Sequence, residues 1–446
     1  MFSVIIPVHN SEKTIEDTVI NVLKELPSLN NEVIIVNYGS TDKTIEVLKK
    51  FEGYEIIKII HQSNMGVSSA RNTGLNHVSA QSKFVTFVDD SDFLSKDFFL
   101  NAKNFFDRHS KIELAISPIT IVENNVTRDH ILNFRFYNNY EYVDILNDIE
   151  SIQYHIGGVV FRTHLFINEK FRFDENIQYW EDAKLINSII LKKQFYGLIK
   201  NSIYFYSRNE SLSLSQAAWS LRERYTPQIK NNYFFLIEKS INLYGENIEY
   251  IQYLIANHFL EYLREHNQPK ITYIPYLEKL QFKMYTKKLF THISVKIIDL
   301  LKVNSVYKNY LYTLKGEVFP YYKNFNKINL YIQKYDLLTN ELLFSFSNDS
   351  FGISFNSEIF FVSKNGKHKK AIIFKHKTLY ILGIPINDFS RNIFSIKIPL
   401  SYLLFGCKVL INDKELNQTI QVDNPSLFKR KFKKIKKQIR LIKKWN

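Results

Sequence analysis

The feature that most constrains this chain is the alternation of short apolar runs and helical patterns along its first 90 residues. Residues 2–8, 32–36, 54–60 and 83–88 have the length and composition of buried strands. Helical patterns separate these runs, and one of them covers residues 67–76. Such alternation predicts a mostly parallel sheet with helices on both faces. Ligands of such sheets lie beyond the carboxyl ends of the strands, so polar residues at those ends are candidates for a functional site.

Beyond this region the pattern changes twice. A helix is predicted over residues 181–193, and the chain then becomes helical and almost free of glycine. The apolar periodicity there favours helices at residues 233–243, 250–265 and 289–301. After about residue 319, short apolar runs between turn signals predict an antiparallel, sandwich-like β domain. We therefore predict four parts: an α/β domain at residues 1–215, a helical region at 216–318, the β domain at 319–424 and a tail at 425–446.

The cysteine content and the N-terminus bear on the compartment. Cys407 is the single cysteine, which excludes a disulfide framework within the chain and an all-cysteine metal site. The N-terminus lacks the pattern of a signal peptide, and no stretch approaches the roughly 20 apolar residues that span a bilayer. We therefore expect a cytoplasmic protein.

The net charge of +15 is concentrated in the last residues of the chain. Residues 429–444 contain ten lysines and arginines and no acidic residue, and an apolar stripe at helical spacing runs through them. This pattern is typical of an amphipathic helix on an anionic membrane surface, which predicts peripheral attachment to the inner face of the cell membrane. The alternatives are packing on the β domain and nucleic-acid binding. Because no other segment resembles a nucleic-acid fold, we expect no nucleic-acid partner.

Three aspartates, Asp89, Asp90 and Asp92, directly follow a predicted buried strand. Carboxylates this close together oppose one another's ionisation unless a cation compensates them. A divalent cation that bridges a diphosphate meets this requirement and stabilises the charge on a leaving phosphate. An exposed turn with an aspartate as helix cap is the structural alternative.

Two further places carry candidate chemistry. Arg71 lies among small neighbours on a predicted helix, where its guanidinium could reach a ribose or a phosphate; a structural ion pair is the alternative. Glu181 and Asp182 follow Trp180 at the start of another helix. A carboxylate there could take the proton of a sugar hydroxyl while the Trp180 ring packs against a pyranose. Acidic residues are also ordinary in a first helical turn, because the helix dipole favours them.

Residues 3–10, 36–44, 64–74 and 87–94, in this order, resemble the catalytic domain of bacterial family 2 inverting glycosyltransferases. The resemblance covers about residues 1–215, and it is closest to enzymes of capsular polysaccharide and wall teichoic acid. It implies an α/β GT-A nucleotide-diphospho-sugar transferase domain, here with a helical region and a C-terminal antiparallel β domain. It also implies metal-dependent, inverting transfer from a nucleotide sugar, with a UDP-sugar expected. The acceptor would be a cell-surface polysaccharide, a teichoic-type polymer or a lipid-linked glycan.

The resemblance further implies roles for individual residues. It makes Asp182 the general base, with Glu181 beside it. It places Mn²⁺ or Mg²⁺ at the acidic motif, with Asp90 or Asp92 as the protein ligand. The residues that it assigns to the nucleotide pocket are Pro7, Asn10, Tyr38, Ser40, Arg71, Asp89 and Arg208.

Two positions depart from the family pattern. Tyr38 stands where an acidic residue is usual, and Ser91 stands where a metal ligand is usual. These departures leave a second hypothesis open, in which the chain is a non-catalytic glycan-binding or scaffold protein with the same fold. The retained arginine and carboxylates favour the enzyme. The helical and β regions carry no recognisable chemistry, and the sequence leaves open whether they bind polymer or build a homo-oligomer.

Overall fold

The computed structural model describes most of residues 1–422, which belong to two compact units that meet in sequence at Ile297 and Ile298. The residues left undescribed are 27–29, 125, 209–217, 267–273, 320–327, 348–349, 351–352, 355, 364, 377, 383, 387, 415–416 and 423–446. The basic tail predicted over residues 425–446 therefore lies outside the described residues. In the part that the structure describes, no helix combines the length and the apolarity needed to cross a membrane.

The first unit contains two sheets. Its strands are β1 (Phe2–Val8), β2 (Glu32–Tyr38), β3 (Ile57–Gln62), β4 (Phe84–Phe87), β5 (Phe93–Leu94), β6 (Leu114–Ile116), β7 (Ile119–Glu123), β8 (Val126–Asp129), β9 (Tyr142–Asp144), β10 (Val159–Arg162), β11 (Phe195–Leu198) and β12 (Tyr204–Arg208). The larger sheet has the order β3-β2-β1-β4-β10-β6-β11-β9 and the smaller one the order β5-β12-β7-β8. β1 to β4 are parallel, and β10 is antiparallel to both of its neighbours.

Helices cover the larger sheet and continue the chain beyond it. They are α1 (Ile15–Glu25), α2 (Thr44–Leu48), α3 (Val67–Asn76), α4 (Phe98–Arg108), α5 (His164–Ile167), α6 (Glu181–Lys193), α7 (Phe234–Tyr244), α8 (Glu249–Glu265), α9 (Tyr276–Thr291) and α10 (Val295–Leu300). A π-helix, Gln228–Tyr233, leads directly into α7. Short 3₁₀ turns occur at Lys49–Phe51, Ile131–Tyr137, Ala218–Ser220 and Arg222–Arg224.

The packing of α3 on β1 explains how one functional side chain reaches the sheet. All seven residues of β1 are buried, as expected for a parallel strand covered on both faces. Gly74 lets α3 come close, because a Cβ at this position would lie 2.5 Å from the Ile5 side chain. Arg71 lies three residues earlier on the same helical face. It is therefore held against the sheet and is only 4% exposed.

The second unit is antiparallel. Its elements are α11 (Ser305–Lys315), β13 (Leu330–Asp336), β14 (Glu341–Phe346), β15 (Glu358–Val362), β16 (His368–Lys370), β17 (Ile372–Lys375), β18 (Leu379–Ile381), β19 (Ile384–Ile386), a 3₁₀ turn (Phe389–Arg391), β20 (Ile393–Lys397), α12 (Leu400–Phe405), β21 (Lys408–Asp413) and β22 (Gln418–Val422). Two four-stranded sheets, β13-β14-β20-β17 and β16-β15-β21-β22, share one apolar cluster, and β18 pairs with β19. The rings of Phe344 and Phe361, one from each four-stranded sheet, lie 5.2 Å apart.

The predicted fold class, an α/β domain with helices and a C-terminal antiparallel β part, is confirmed. The single helix predicted over residues 289–301 is wrong, because the chain breaks between α9 and α10. The Ser294 N–H donates to Gln252 Oε1 at 2.7 Å, and the Ser294 hydroxyl accepts from the Ile297 N–H at 3.3 Å. A hydroxyl that caps a helix in this way begins a new helix instead of extending the old one.

Candidate active site

A cleft of about 720 Å³ lies in the first unit, at the carboxyl ends of β1, β2 and β4. Pro7 and Tyr38 border it at the ends of β1 and β2, and the acidic loop (residues 89–92) borders it after β4. The carboxylate turn (residues 179–182) and residues of the helical segment (residues 218–265) also line the cleft. The position agrees with the general rule for parallel sheets, whose ligands lie beyond the carboxyl ends of the strands.

Arg71 joins two groups of acids across this cleft. Its Nη2 lies 3.0 Å from Asp89 Oδ1, and its Nη1 lies 3.0 Å from Glu181 Oε1. The Arg71 guanidinium carbon also lies 5.3 Å from the centre of the Phe173 ring. An arginine buried this deeply needs such paired carboxylates, because an unpaired buried charge is costly. The acidic loop and the carboxylate turn are therefore parts of one site.

The other aspartates of the acidic loop face different partners. Asp90 Oδ2 accepts hydrogen bonds from the His9 N–H, at 3.1 Å, and from the Ser11 hydroxyl. Burial raises the pKa of Asp90 to about 6, in spite of these hydrogen bonds. The Asp90 carboxyl is therefore tied to the chain that follows β1, at the edge of the cleft.

Asp92 is the most deeply buried of the three aspartates, with no exposed surface. Its Oδ2 accepts from the Tyr204 hydroxyl at 2.6 Å, and its Oδ1 accepts from the Ser207 N–H at 2.8 Å. Tyr204 also accepts a hydrogen bond from the Asp89 N–H at 3.2 Å. Burial and the nearby Asp89 charge raise the pKa of Asp92 well above its ordinary value. These contacts anchor the acidic loop to β12.

Glu181 and Asp182 form the first turn of α6. Asp182 accepts hydrogen bonds from the Ala183 N–H at 2.7 Å and from the Ile156 N–H at 3.3 Å. Burial raises the pKa of Asp182 to about 6, and the nearby Arg71 charge opposes this rise. Burial and the adjacent Asp182 raise the pKa of Glu181 to about 7. Near neutral pH, Asp182 is therefore poised to accept a proton.

The residues assigned to the nucleotide pocket fall into two groups. Pro7 and Tyr38 border the cleft, and the Tyr38 ring stacks on His9 with 5.0 Å between centres. Asn10 and Ser40 lie beside them but not among the residues that line the cleft. The Asn10 N–H donates to the Ser40 hydroxyl at 3.0 Å. Asn10 and Ser40 thus connect the chain after β1 to the turn after β2.

The remaining nucleotide-pocket residue, Arg208, borders the cleft at the end of β12. Its guanidinium carbon lies 5.6 Å from the centre of the Tyr206 ring. Residues 209–217, which follow Arg208 directly, lie outside the described residues.

Several residues that sequence reasoning missed also line the cleft, and they are His130, Tyr154, His155, Trp219, Arg224, His258 and Glu261. Burial lowers the pKa of His155 to about 4, so its imidazole is neutral near pH 7. The Gly157 N–H donates to His155 Nδ1 at 3.0 Å, which leaves the proton on Nε2. The sequence signal for His155 as a cleft residue was its position two residues before Gly157 and Gly158.

The proposed packing of the Trp180 ring against a sugar is wrong. The ring stacks on His258, with 4.8 Å between centres and 22° between planes, and Tyr233 meets it edge-on at 5.3 Å. Trp180 is only 5% exposed. Its ring face is therefore covered by another part of the chain.

The ionisable groups of the cleft determine whether a cation fits. Eight carboxyl groups line it against four arginines, so a diphosphate would add negative charge to an excess of negative charge. No three acidic, histidine or cysteine residues among those described are placed to bind a metal by themselves. Magnesium-type sites commonly combine one or two carboxylates with substrate phosphates. The half-buried Asp89 and Asp90 fit such a shared site, whereas Asp92 is committed to β12.

Comparison with known proteins agrees with this geometry. Residues 3–166 match the family model for glycosyl transferase family 2. The minor teichoic acid biosynthesis protein GgaA of Bacillus subtilis is 29% identical over 455 residues, which cover 97% of this chain and 100% of GgaA. The poly(ribitol-phosphate) beta-N-acetylglucosaminyltransferase TarS of Staphylococcus aureus is 27% identical over 229 residues, covering 50% of this chain and 38% of TarS.

A solved structure agrees with the fold. The crystal structure of S. aureus TarS 1–349 in complex with UDP-GlcNAc superposes with a TM-score of 0.54 at 20% sequence identity. The match covers 71% of this chain and 87% of that one. The predicted resemblance to family 2 GT-A transferases is therefore confirmed, and the chain is related to proteins of teichoic acid biosynthesis.

Proposed function

Because this chain carries a glycosyl transferase family 2 domain at residues 3–166, it is a glycosyltransferase, and we propose a specific reaction for it. The donor is a UDP-sugar, the acceptor is a teichoic-type polymer or another cell-surface polysaccharide, and the anomeric configuration is inverted. The observation that carries this proposal is the Arg71 bridge between Asp89 and Glu181. It brings Asp89, a candidate phosphate-side acid, into one cleft with the carboxylate turn, which carries the candidate base Asp182.

The donor would lie along the end of the cleft that the sheet forms. Pro7 and Tyr38 border the space for the nucleobase, and Tyr38 stands where an acidic residue is usual in the family. Asn10 and Ser40 shape this end by linking the turns after β1 and β2. Arg208 faces the same cleft and is a candidate phosphate contact, because a guanidinium pairs well with phosphate oxygens. The complex of TarS with UDP-GlcNAc supports a UDP-sugar as donor.

A divalent cation, Mn²⁺ or Mg²⁺, would neutralise the charge that develops on the leaving diphosphate. Asp89 and Asp90 are the residues that would hold it, together with oxygens of the donor. The excess of carboxylates over arginines in the cleft supports this assignment. Asp92 would contribute indirectly, because its contacts with Tyr204 and Ser207 fix the acidic loop.

Asp182 is the proposed base. As the acceptor oxygen attacks the anomeric carbon, its proton passes to the Asp182 carboxylate. The bond from the anomeric carbon to the diphosphate oxygen breaks, and UDP leaves with the electron pair. Glu181 stays paired with Arg71 and keeps that guanidinium in place between the two acidic groups. One displacement inverts the configuration, so no covalent sugar–enzyme intermediate is formed.

The acceptor would enter opposite the donor end, past the helical segment. The names of GgaA and TarS, which refer to teichoic acid and poly(ribitol-phosphate), support a polymer of this kind. Attachment of the tail to an anionic membrane surface remains part of the proposal, since it would bring the cleft to a lipid-linked acceptor. Removal of residues 426–446 should release the protein from anionic liposomes, and unchanged binding would count against this attachment.

Calorimetric titration with UDP and GDP, each with and without Mn²⁺, tests the donor assignment. We expect UDP to bind more tightly with Mn²⁺ and GDP to bind at least about tenfold more weakly than UDP, which corresponds to about 1.4 kcal/mol. Preference for GDP would replace uracil with guanine as the nucleobase of the donor. No binding of either nucleotide would favour a glycan-binding protein that keeps the fold.

A further inference from the structure

The carboxylate turn has a backbone conformation that its own sequence does not favour. Trp180 has φ +70° and ψ +21°, in the left-handed region. A bulky residue with a Cβ adopts this region only at an energetic cost, because its side chain crowds the backbone. Trp180 immediately precedes Glu181, so its dihedral angles set the direction in which α6 begins. Contacts from elsewhere must therefore hold the turn in place.

His258, from the middle of α8, supplies those contacts. Its Nε2 lies 2.9 Å from the Tyr179 hydroxyl, and its Nδ1 lies 2.5 Å from the Tyr233 hydroxyl. Its ring stacks on the Trp180 ring. Burial lowers the pKa of His258 to about 4, so the ring is neutral, with one nitrogen that donates and one that accepts. One imidazole thus contacts two consecutive residues of the turn.

The π-helix before α7 adds further contacts to the carboxylate turn. The Asn232 side chain donates to the Tyr179 carbonyl at 3.1 Å, and Tyr233 packs edge-on against Trp180. Insertion of a π-turn displaces side chains relative to a regular α-helix, and such turns recur at functional sites. Asn232 and Tyr233 both lie within this π-helix. Both contacts with the turn therefore come from this irregular helical segment.

Two charged residues, Arg224 and Glu261, lie next to Tyr179 and His258. The Arg224 guanidinium carbon lies 4.4 Å from the centre of the Tyr179 ring and 3.6 Å from that of Trp219. Glu261 lies 2.5 Å from Arg224 Nη2 and 3.8 Å from His258 Nε2. Arg224 thus packs against the Tyr179 ring, and Glu261 pairs with Arg224. The whole arrangement comes from the helical segment, beyond the residues that match the family model.

We propose that His258 is a positioning residue for sugar transfer, which holds Tyr179 and Trp180 so that Asp182 stays directed at the acceptor. This proposal rests on the assignment of Asp182 as the base. It makes the helical segment part of the catalytic apparatus and not an accessory to it. His258 itself does not touch the reacting atoms in this account.

The kinetics of two His258 variants and one control variant test the proposal. His258→Phe keeps a flat ring but removes both hydrogen bonds, and His258→Gln keeps an amide that can reach one of the two hydroxyls. We expect His258→Phe to lower kcat about 30- to 100-fold, because small displacements of a catalytic group have effects of this size. The Kd for UDP should stay within about twofold of the wild-type value. The kcat of His258→Gln should be at least about threefold higher than that of His258→Phe.

Tyr253→Phe is the matched control. It removes another buried hydroxyl from α8, whose partner is Glu150, and neither residue lines the cleft. We expect its kcat to stay within about twofold of the wild type. Equal losses in Tyr253→Phe and His258→Phe would reduce His258 to a general stabilising role and overturn the proposal. An unchanged kcat in folded His258→Phe would overturn it as well.

Hydrogen exchange gives a readout that does not depend on activity. We expect amides in residues 177–186 to exchange at least about tenfold faster in His258→Phe and at the wild-type rate in Tyr253→Phe. If His258→Phe does not fold, Tyr179→Phe and Tyr233→Phe replace it, each with an expected loss of about 3- to 10-fold in kcat. No loss in either would overturn the proposal. A wild-type protein that transfers no sugar would sink the proposed function, while the exchange rates would still decide whether His258 holds the turn.

Discussion

The two acidic groups of the cleft are held in different ways. The acidic loop is fixed from the strands beside it, through His9 and Ser11 after β1 and through Tyr204 and Ser207 of β12. The carboxylate turn is fixed largely by the helical segment, above all by His258. The acidic loop and the residues after β1 lie within residues 3–166, which match the family model, whereas Tyr204 and Ser207 lie beyond them. The carboxylate turn and the helical segment that holds it both lie beyond the matched residues.

Loss of the Asp182 carboxylate should have the largest effect on transfer and should leave nucleotide binding almost unchanged. Asp182→Asn keeps the size of the side chain but cannot accept the acceptor proton. We expect kcat to fall about 10³-fold, within the range found for general bases, with the Kd for UDP within about twofold. Steady-state kinetics with parallel UDP titration measure both quantities. Joint loss of transfer and nucleotide binding would show that the two sides are not separable.

Asp89→Asn probes the donor side. This change weakens the ion pair with Arg71, whose Nη2 lies 3.0 Å from Asp89 Oδ1, and removes a carboxylate proposed to hold the cation. We expect Mn²⁺-dependent UDP binding to weaken about 10- to 100-fold, which corresponds to about 1.4–2.8 kcal/mol. Calorimetry with and without Mn²⁺ measures the change. Unaltered UDP affinity together with reduced kcat would move Asp89 to the acceptor side.

The pH dependence of transfer should report the carboxylate turn. Burial raises the pKa of Asp182 to about 6, with Arg71 opposing the rise and Asp89 adding to it. The ionised base is present above this pKa and is lost as the pH falls through it. We expect kcat/KM, whose pH profile reports the pKa of the free enzyme, to drop about tenfold per pH unit below pH 6. A profile that is flat between pH 5 and pH 8 would contradict Asp182 as the base.

Asp92→Asn should weaken UDP binding much less than Asp89→Asn does, so the two variants distinguish the roles of these aspartates in the acidic loop. Asp92 is fully buried and hydrogen-bonded to Tyr204 and Ser207. We expect a loss of about 1–3 kcal/mol in the free energy of unfolding, measured with urea, because an amide nitrogen in place of Oδ2 cannot accept the hydrogen bond from the Tyr204 hydroxyl. Mn²⁺-dependent UDP binding should stay within about threefold. Full stability with loss of metal dependence would instead make Asp92 a metal ligand.

Local patterns in the sequence were sufficient for the regular elements near the donor end. The first strand and the helices at residues 67–76 and 181–193 have the predicted bounds, because their burial and periodicity are set by neighbouring residues. The turn residues after β1 and β2 could likewise be placed at one edge of the sheet. Parallel strands made this inference independent of the exact tertiary packing.

Contacts between distant parts of the chain could not be predicted in this way. Trp180 was expected to pack on a sugar, but its partner is His258, whose spacing in the sequence carries no signal. The break in the helix predicted at residues 289–301 depends on Gln252 from α8. The Asp92 carboxylate is buried against β12, because it accepts a hydrogen bond from the Tyr204 hydroxyl. In each case a partner far along the chain decided the outcome.

The proposed reaction is tested most directly by transfer of labelled sugar from UDP-GlcNAc to purified wall teichoic acid polymer, with wild type and Asp182→Asn side by side. We expect the wild type to incorporate label, and the variant to incorporate at least about 10³-fold less while it still binds UDP. Incorporation at similar rates by both proteins would contradict the assigned base. UDP binding without transfer by the wild type to this polymer or to other cell-surface glycans, from any UDP-sugar, would contradict the proposed reaction itself.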